Sequence, residues 1–217
     1  TTPYLGSPAA IPGKVEAENY DVGGEGIAYH DSDDSNEFSL FRNDGVDIVA
    51  EGTGYSVANA INKEWQEYTL DVTESGEYDI SIYYSSNLDN GNARIGLSLP
   101  EENRILVENY KLYSTFDWSN FSEETIAREI NLTKGKHILR ASVVQLGYHL
   151  DWIEIKKPGT TNVLESQLTP LSVFPNPSLT GVFSLNRTSD YSVYSIDGLK
   201  ITTGKGRFID LSSFSKG

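Results

Sequence analysis

Cysteine is absent from the chain, which excludes disulfides, thiolate metal sites and cysteine nucleophiles. Its absence assigns no compartment, because exported bacterial proteins commonly lack it as well. Basic residues are few: 17 Lys and Arg stand against 31 Asp and Glu, a formal net charge of −14. A field of that sign repels phosphate backbones and excludes nucleic acid as a partner, while it attracts cations and is indifferent to neutral sugars. No apolar run approaches the ~20 residues of a membrane helix, so no membrane insertion is expected. No signal peptide is visible, and the opening Thr1-Thr-Pro-Tyr-Leu-Gly6 reads as a cut inside a linker of a longer parent. The three histidines, His30, His137 and His149, lack a metal-binding spacing, and His137 is expected at the surface or rim of a strand. No long segment repeats its apolar residues at the helical period.

What is present is an aromatic-rich pattern of strands. The 217 residues are 38% hydrophobic and include 13 Tyr, 8 Phe and 3 Trp, enough for a core and too much for wholesale disorder. Apolar residues alternate at Tyr68, Leu70 and Val72; at Tyr78, Ile80, Ile82 and Tyr84; at Ile95, Leu97 and Leu99; at Ile126, Ile130 and Leu132; and at Leu139, Ala141 and Val143. Turn signals at Glu74-Ser-Gly76, Asp89-Asn-Gly91 and Thr133-Lys-Gly-Lys136 separate these runs. Many short strands joined by polar turns predict an all-β antiparallel sandwich.

Composition changes after Lys157. A breaker-rich stretch predicts a linker over 158–169. Strand-like runs follow at Leu171–Phe174, Val182–Leu185, Tyr191–Ile196 and Phe208–Leu211. The segment 170–217 is small for an independent core and stops where another strand is expected, so it reads as a truncated second β-domain. The first domain is placed at 12–157, with 1–11 as a linker remnant.

Several motifs read as structural. Gly23-Gly-Glu-Gly26 lacks the lysine of a phosphate loop. Gly54-Tyr-Ser-Val-Ala58 misses the last glycine of a nucleophile elbow, and no helix pattern follows Ser56. Asp33-Asp34 fits a solvated loop. No strand carries a spacing that opposes an acid and a nucleophile, as glycan hydrolysis requires, so catalysis is not expected of this chain.

Two features invite chemistry. Glu16 and Glu18, in Val15-Glu-Ala-Glu-Asn-Tyr20, stand two apart and share one face if the segment is a strand. They form either an exposed polar face or a hard-cation site with oxygen ligands. Phe116, Trp118 and Phe121 crowd the polar stretch 114–121. A tryptophan there is either a hydrophobic plug or a stacking platform for the C–H face of a pyranose, with Asn or Asp beside it to read hydroxyls.

Five segments, Ile11-Pro-Gly-Lys-Val-Glu-Ala-Glu-Asn-Tyr20, Gly24-Glu-Gly-Ile-Ala-Tyr-His-Asp31, Phe41-Arg-Asn-Asp-Gly-Val-Asp-Ile48, Glu64-Trp-Gln-Glu-Tyr68 and Tyr148-His-Leu-Asp-Trp-Ile-Glu-Ile155, stand in an order that resembles carbohydrate-binding module family 6. The resemblance covers residues 12–157. It implies a jelly-roll sandwich with a structural Ca²⁺ held by Glu16, Glu18 and Asp151 and by the backbone carbonyl at Arg42. It also implies a non-catalytic sugar site in loops at one end of the sandwich. Phe41 and Trp118 match the two aromatic positions, with Phe121 packing beside Trp118, and His149 matches the asparagine that reads hydroxyls. Tyr113, Phe116 and Asn120 supplement them. Phe41 and His149 depart from the family's tyrosine and asparagine. The run Gly24–Asp31 is similar to modules of agar- and laminarin-degrading enzymes of marine bacteria. That likeness implies a polysaccharide partner of the algal galactan kind, such as agarose. β-Glucan or xylan binding is the alternative, and a spacer that has lost sugar binding is another.

The tail segments Leu171-Ser-Val-Phe-Pro-Asn-Pro-Ser178, Tyr191-Ser-Val-Tyr-Ser-Ile-Asp-Gly-Leu-Lys200 and Ile209-Asp-Leu-Ser-Ser213 resemble the type A C-terminal sorting domain of type IX secretion in Bacteroidetes. This implies recognition by that secretion machinery and a secreted or surface-attached protein. The expectation is a monomeric module belonging to a glycoside hydrolase whose catalytic domain lies outside this chain.

Overall fold

A computed structural model describes residues 1–33, 35–88, 92–159, 171–176 and 178–214. Asp34, the expected turn at Asp89-Asn-Gly91, residues 160–169 of the expected linker, Pro177 and the last three residues lie outside them. The chain divides into two units, Thr1–Thr161 and Asn162–Gly217.

The alternating runs of the first unit all form strands. In chain order they are β1 (Ala9–Ile11), β2 (Gly13–Glu16), β3 (Tyr29–His30), β4 (Ile48–Val49), β5 (Ser56–Val57), β6 (Trp65–Val72), β7 (Gly76–Ser85), β8 (Arg94–Leu99), β9 (Arg104–Lys111), β10 (Ser122–Leu132), β11 (Gly135–Gln145) and β12 (His149–Lys156). They pair into two six-stranded sheets. One has the order β1-β6-β11-β8-β9, with β3 also on β6; the other runs β10-β7-β12-β5-β4, with β2 also on β12. Because side chains alternate across a strand, one parity of each central strand meets the facing sheet. Tyr78, Ile80, Ile82 and Tyr84 of β7 are at most 2% exposed, and they share one core with Leu70 and Val72, Ile95 and Leu97, Leu139, and Ile153 and Ile155. Each such side chain contributes roughly 1.5–3 kcal/mol on burial. The all-β sandwich is therefore the fold, and no α-helix occurs among the described residues.

Three local expectations change. Residues 1–11 are not a linker: β1 pairs parallel with β6, Ala9 beside Leu70 and Ile11 beside Val72, and Ile11 is fully buried. The N-terminal segment is thus a sheet edge. His137 is buried rather than at the rim, because its parity in β11 points inward; Nδ1 faces Glu102 Oε1 at 2.5 Å and Nε2 faces the Thr133 carbonyl at 2.7 Å. Strand β10 is interrupted by two bulges, with Glu129 at positive φ and its N–H donated to Asp79.

The second unit is an antiparallel sheet of β13 (Val173–Phe174), β14 (Val182–Tyr194) and β15 (Lys200–Asp210). The two separate runs expected at 182–185 and 191–196 merge into β14, whose register slips between Ser184 and Ser189. Its polar middle, Asn186 to Asp190, interrupts the apolar pattern without ending the strand. Leu185 and Ile209 are its buried apolar residues.

Candidate functional site

One end of the second sheet carries the aromatic group. His149 opens β12, and across the sheet it pairs with Ser85 of β7. The segment joining β4 to β5 brings Glu51 to it, with Oε2 3.0 Å from His149 Nδ1. The segment joining β9 to β10 lays Trp118 over the same ring: the centroids are 4.5 Å apart and the planes 18° from parallel. His149 is 8% exposed, whereas the indole stays partly exposed. Burial lowers the proton affinity of the imidazole, against the opposing pull of Glu51.

The loop that carries Trp118 is tied down by polar contacts. The Ser86 carbonyl accepts from Thr115 N–H (2.7 Å), Thr115 Oγ1 (3.1 Å) and Ser114 Oγ (3.2 Å), and Ser86 Oγ donates to the Gly147 carbonyl. Asp117 accepts from the N–H and hydroxyl of Ser119, contacts that hold its carboxyl below the usual range. Phe116, half-buried at φ 71°, donates its N–H to Ser114 Oγ. Asn120 Nδ2 donates to the Thr115 carbonyl at 2.8 Å, so this amide holds the loop. Phe121 packs on Tyr83, which stacks on Trp152. Tyr113 is 41% exposed.

Phe41 packs against two other rings. It sits at φ 64°, 40% exposed, against Tyr4 (5.5 Å) and Tyr55 (4.9 Å). The segment between β4 and β5 serves both groups, Glu51 to His149 and Tyr55 to Phe41. No sequence pattern marks Glu51, Tyr55 or Tyr4. Tyr55 precedes Ser56, which is structural as expected: it is fully buried and donates to the Glu51 carbonyl.

The carboxylates behave as a second cluster. β2 ends at Glu16, and Glu18 lies in the following 3₁₀ turn, Ala17–Asn19. Strand alternation therefore does not bring the pair together; the turn does. Glu18 is 7% exposed, and its Oε2 is buried without a hydrogen-bond partner. Burial, then Glu16 and Asp151, push its carboxyl up to about 7, against a backbone hydrogen bond. Burial also raises Glu16, which Asp151 pushes further, and Asp151 itself. Asp151 is 1% exposed and accepts from Thr53 N–H (2.7 Å) and Thr53 Oγ1 (3.0 Å). Gly52 permits this approach: a Cβ there would lie 2.4 Å from Asp151 Oδ2. Arg42 is buried, its guanidinium 3.5 Å from the Tyr20 ring centre and donating to the Tyr20 and Asp21 carbonyls and to Asp44. The Arg42 carbonyl accepts from Asn36 Nδ2 at 3.2 Å. Among the described residues no three His, Cys, Asp or Glu side chains are arranged to enclose a metal. The donor set is nonetheless hard oxygen, and three carboxylates each raised chiefly by burial, one with an orphaned buried oxygen, suit a cation of Ca²⁺ type.

Residues 37–157 match the family model for the carbohydrate binding module (family 6). The fold is similar to the C-terminal family 6 module of LamC, a marine laminarinase from Zobellia galactanivorans, with a TM-score of 0.52 and 21% identity over 66% of this chain and 98% of that one. It is also similar to a family 6 module from Clostridium stercorarium in complex with cellobiose (TM-score 0.52, 15% identity, 70% of this chain and 98% of that one). An arabinoxylan arabinofuranohydrolase from Bacillus subtilis, in complex with cellotetraose, shares the fold over 70% of this chain and 28% of its own (TM-score 0.50, 15% identity). No curated protein matches the chain.

Proposed function

The chain belongs to carbohydrate-binding module family 6, and from that premise we propose that its first unit holds a parent glycoside hydrolase on a polysaccharide, with Trp118 as the stacking platform. The observation that carries this reading is the partly exposed indole, held by a hydrogen-bonded loop at one end of the sandwich. A flat π-face suits the apolar C–H face of a pyranose. Affinity for one site is weak, roughly 10–1000 μM, because every bound hydroxyl gives up water.

The ligand we favour is a neutral algal galactan such as agarose. The resemblance of Gly24–Asp31 to modules of agar-degrading enzymes supports it, and the charge of −14 disfavours heavily sulfated or uronate chains. A β-glucan is the second reading, favoured by the fold likeness to the laminarinase module. Affinity electrophoresis in agarose, laminarin and xylan gels separates them. Trp118→Ala is expected to abolish retardation in whichever gel retards the wild type. Unchanged mobility of that variant would place the site elsewhere, and no retardation in any gel would favour a spacer.

A structural Ca²⁺ is part of the proposal, held by Glu16, Glu18 and Asp151 with the carbonyl of Arg42. When bound it neutralises buried carboxylates and joins the β2 end to β12. For the second unit, the segments around Phe174-Pro-Asn-Pro177 and Tyr191–Lys200 support recognition by type IX secretion and a secreted or surface-attached protein. Deleting residues 170–217 is expected to retain the protein inside a Bacteroidetes host. Export of the deleted form would refute that role.

A further inference from the structure

The resemblance implies an asparagine, which offers a sugar both a donor and an acceptor, at the position His149 occupies. The imidazole here is spent differently. Its Nδ1 meets Glu51 at 3.0 Å, its face meets Trp118 at 4.5 Å, and only 8% of the residue is exposed. A carboxylate accepts and does not donate, so the proton between them belongs to Nδ1. That fixes the plane of the ring, and the plane of the ring fixes the indole lying 18° from parallel to it. Glu51 is itself placed by its own segment: the Glu51 N–H donates to the Val49 carbonyl, and the Glu51 carbonyl accepts from Ser56 Oγ.

We propose that Glu51 is the positioning residue of the platform, holding His149 flat against one face of Trp118 so that the other face is the one offered to a pyranose. His149 is then the backing of the platform, its one N–H donor spent on Glu51. The inference rests on the platform reading above, but it has its own readouts. A merely structural Glu51 would lower stability without changing the proton position on His149 or the surroundings of the Trp118 indole.

Three measurements on the full chain at one fixed pH decide it. The first is the ¹⁵N correlation pattern of the His149 ring, which reports whether Nδ1 or Nε2 carries the proton. The second is the emission of Trp118, taken as the difference between wild type and Trp118→Phe. The third is retardation in the gel that retards the wild type. Glu51→Ala is expected to release the Nδ1 proton form, to shift the Trp118 emission towards that of a mobile indole, and to lower affinity about tenfold, as loss of the partner of a buried donor does. Glu51→Gln, whose amide oxygen still accepts from Nδ1, is expected to rescue most of both spectroscopic signals and of the affinity. An unchanged proton position or emission in folded Glu51→Ala would overturn the proposal. So would changed spectra with full affinity, or a Gln variant as impaired as the Ala variant. A wild type that binds no polysaccharide would refute the proposed function, while the two spectroscopic readouts would still decide the role of Glu51.

Discussion

Glu18 sets a pH dependence that calcium should erase. Its carboxyl is nearly buried, one oxygen has no partner, and burial with Glu16 and Asp151 moves it from an ordinary 4.5 to about 7. Each tenfold change in proton affinity is worth about 1.36 kcal/mol, so full ionisation of this group costs the fold about 3 kcal/mol. The direction follows from which state holds the proton more tightly. Here the folded state does, so the stabilisation is complete below about 4.5 and is lost as pH rises through about 7. For a domain of this size the loss amounts to about 6–12 °C in Tm.

The assay is thermal unfolding of wild type and Glu18→Gln in chelator, at about pH 5 and about pH 8, then at the higher pH with millimolar Ca²⁺. Wild type is expected to lose stability between the two pH values in chelator and to regain it with Ca²⁺. Glu18→Gln carries no ionisable group there, so its Tm should fall less over the same range, and Ca²⁺ should raise it less. An equal fall in both proteins would show that Glu18 is not the titrating group. An equal gain from Ca²⁺ would show that its carboxylate is not a ligand.

Other outcomes follow from the same structure. Gly52→Ala places a methyl against Asp151 Oδ2 at a residue with φ 72°; it should cost about 1–3 kcal/mol and shrink the Ca²⁺-induced rise in Tm, both read by calorimetry. Asp31, raised to about 7 by burial and by Glu64, Asp33 and Asp47, should give the opposite sign on substitution: Asp31→Asn is expected to be more stable than wild type at about pH 8 and close to it at about pH 5. A variant less stable at the higher pH would refute that.

Much of the sandwich was legible because its signal is short-range. A period of two along Tyr78, Ile80, Ile82 and Tyr84 needs no knowledge of the partner strand, and all four are core. Elements whose cause is tertiary were not legible. Strand β1 is three residues long and exists because β6 lies beside it. The turn that carries Glu18 replaces a strand whose alternation looked sufficient. The two short runs of the second unit fused because their pairing with β15 spans the polar interruption.

The site shows the same division more sharply. Trp118 announced itself through the crowding of aromatics around it, and His149 through its departure from the asparagine of the family. What each does depends on Glu51, which is 98 residues from His149 in the chain and had no local pattern to mark it. The pairing of Leu150 with Val57 and the hydrogen bonds of Thr53 to Asp151 bring those segments together. Reading position 149 from its neighbours in sequence treats its side chain as facing a ligand. A ring held by a carboxylate and covered by an indole has its donor and one face already taken. On the proposed role of Glu51, replacing His149 with asparagine would remove the ring that covers one face of Trp118.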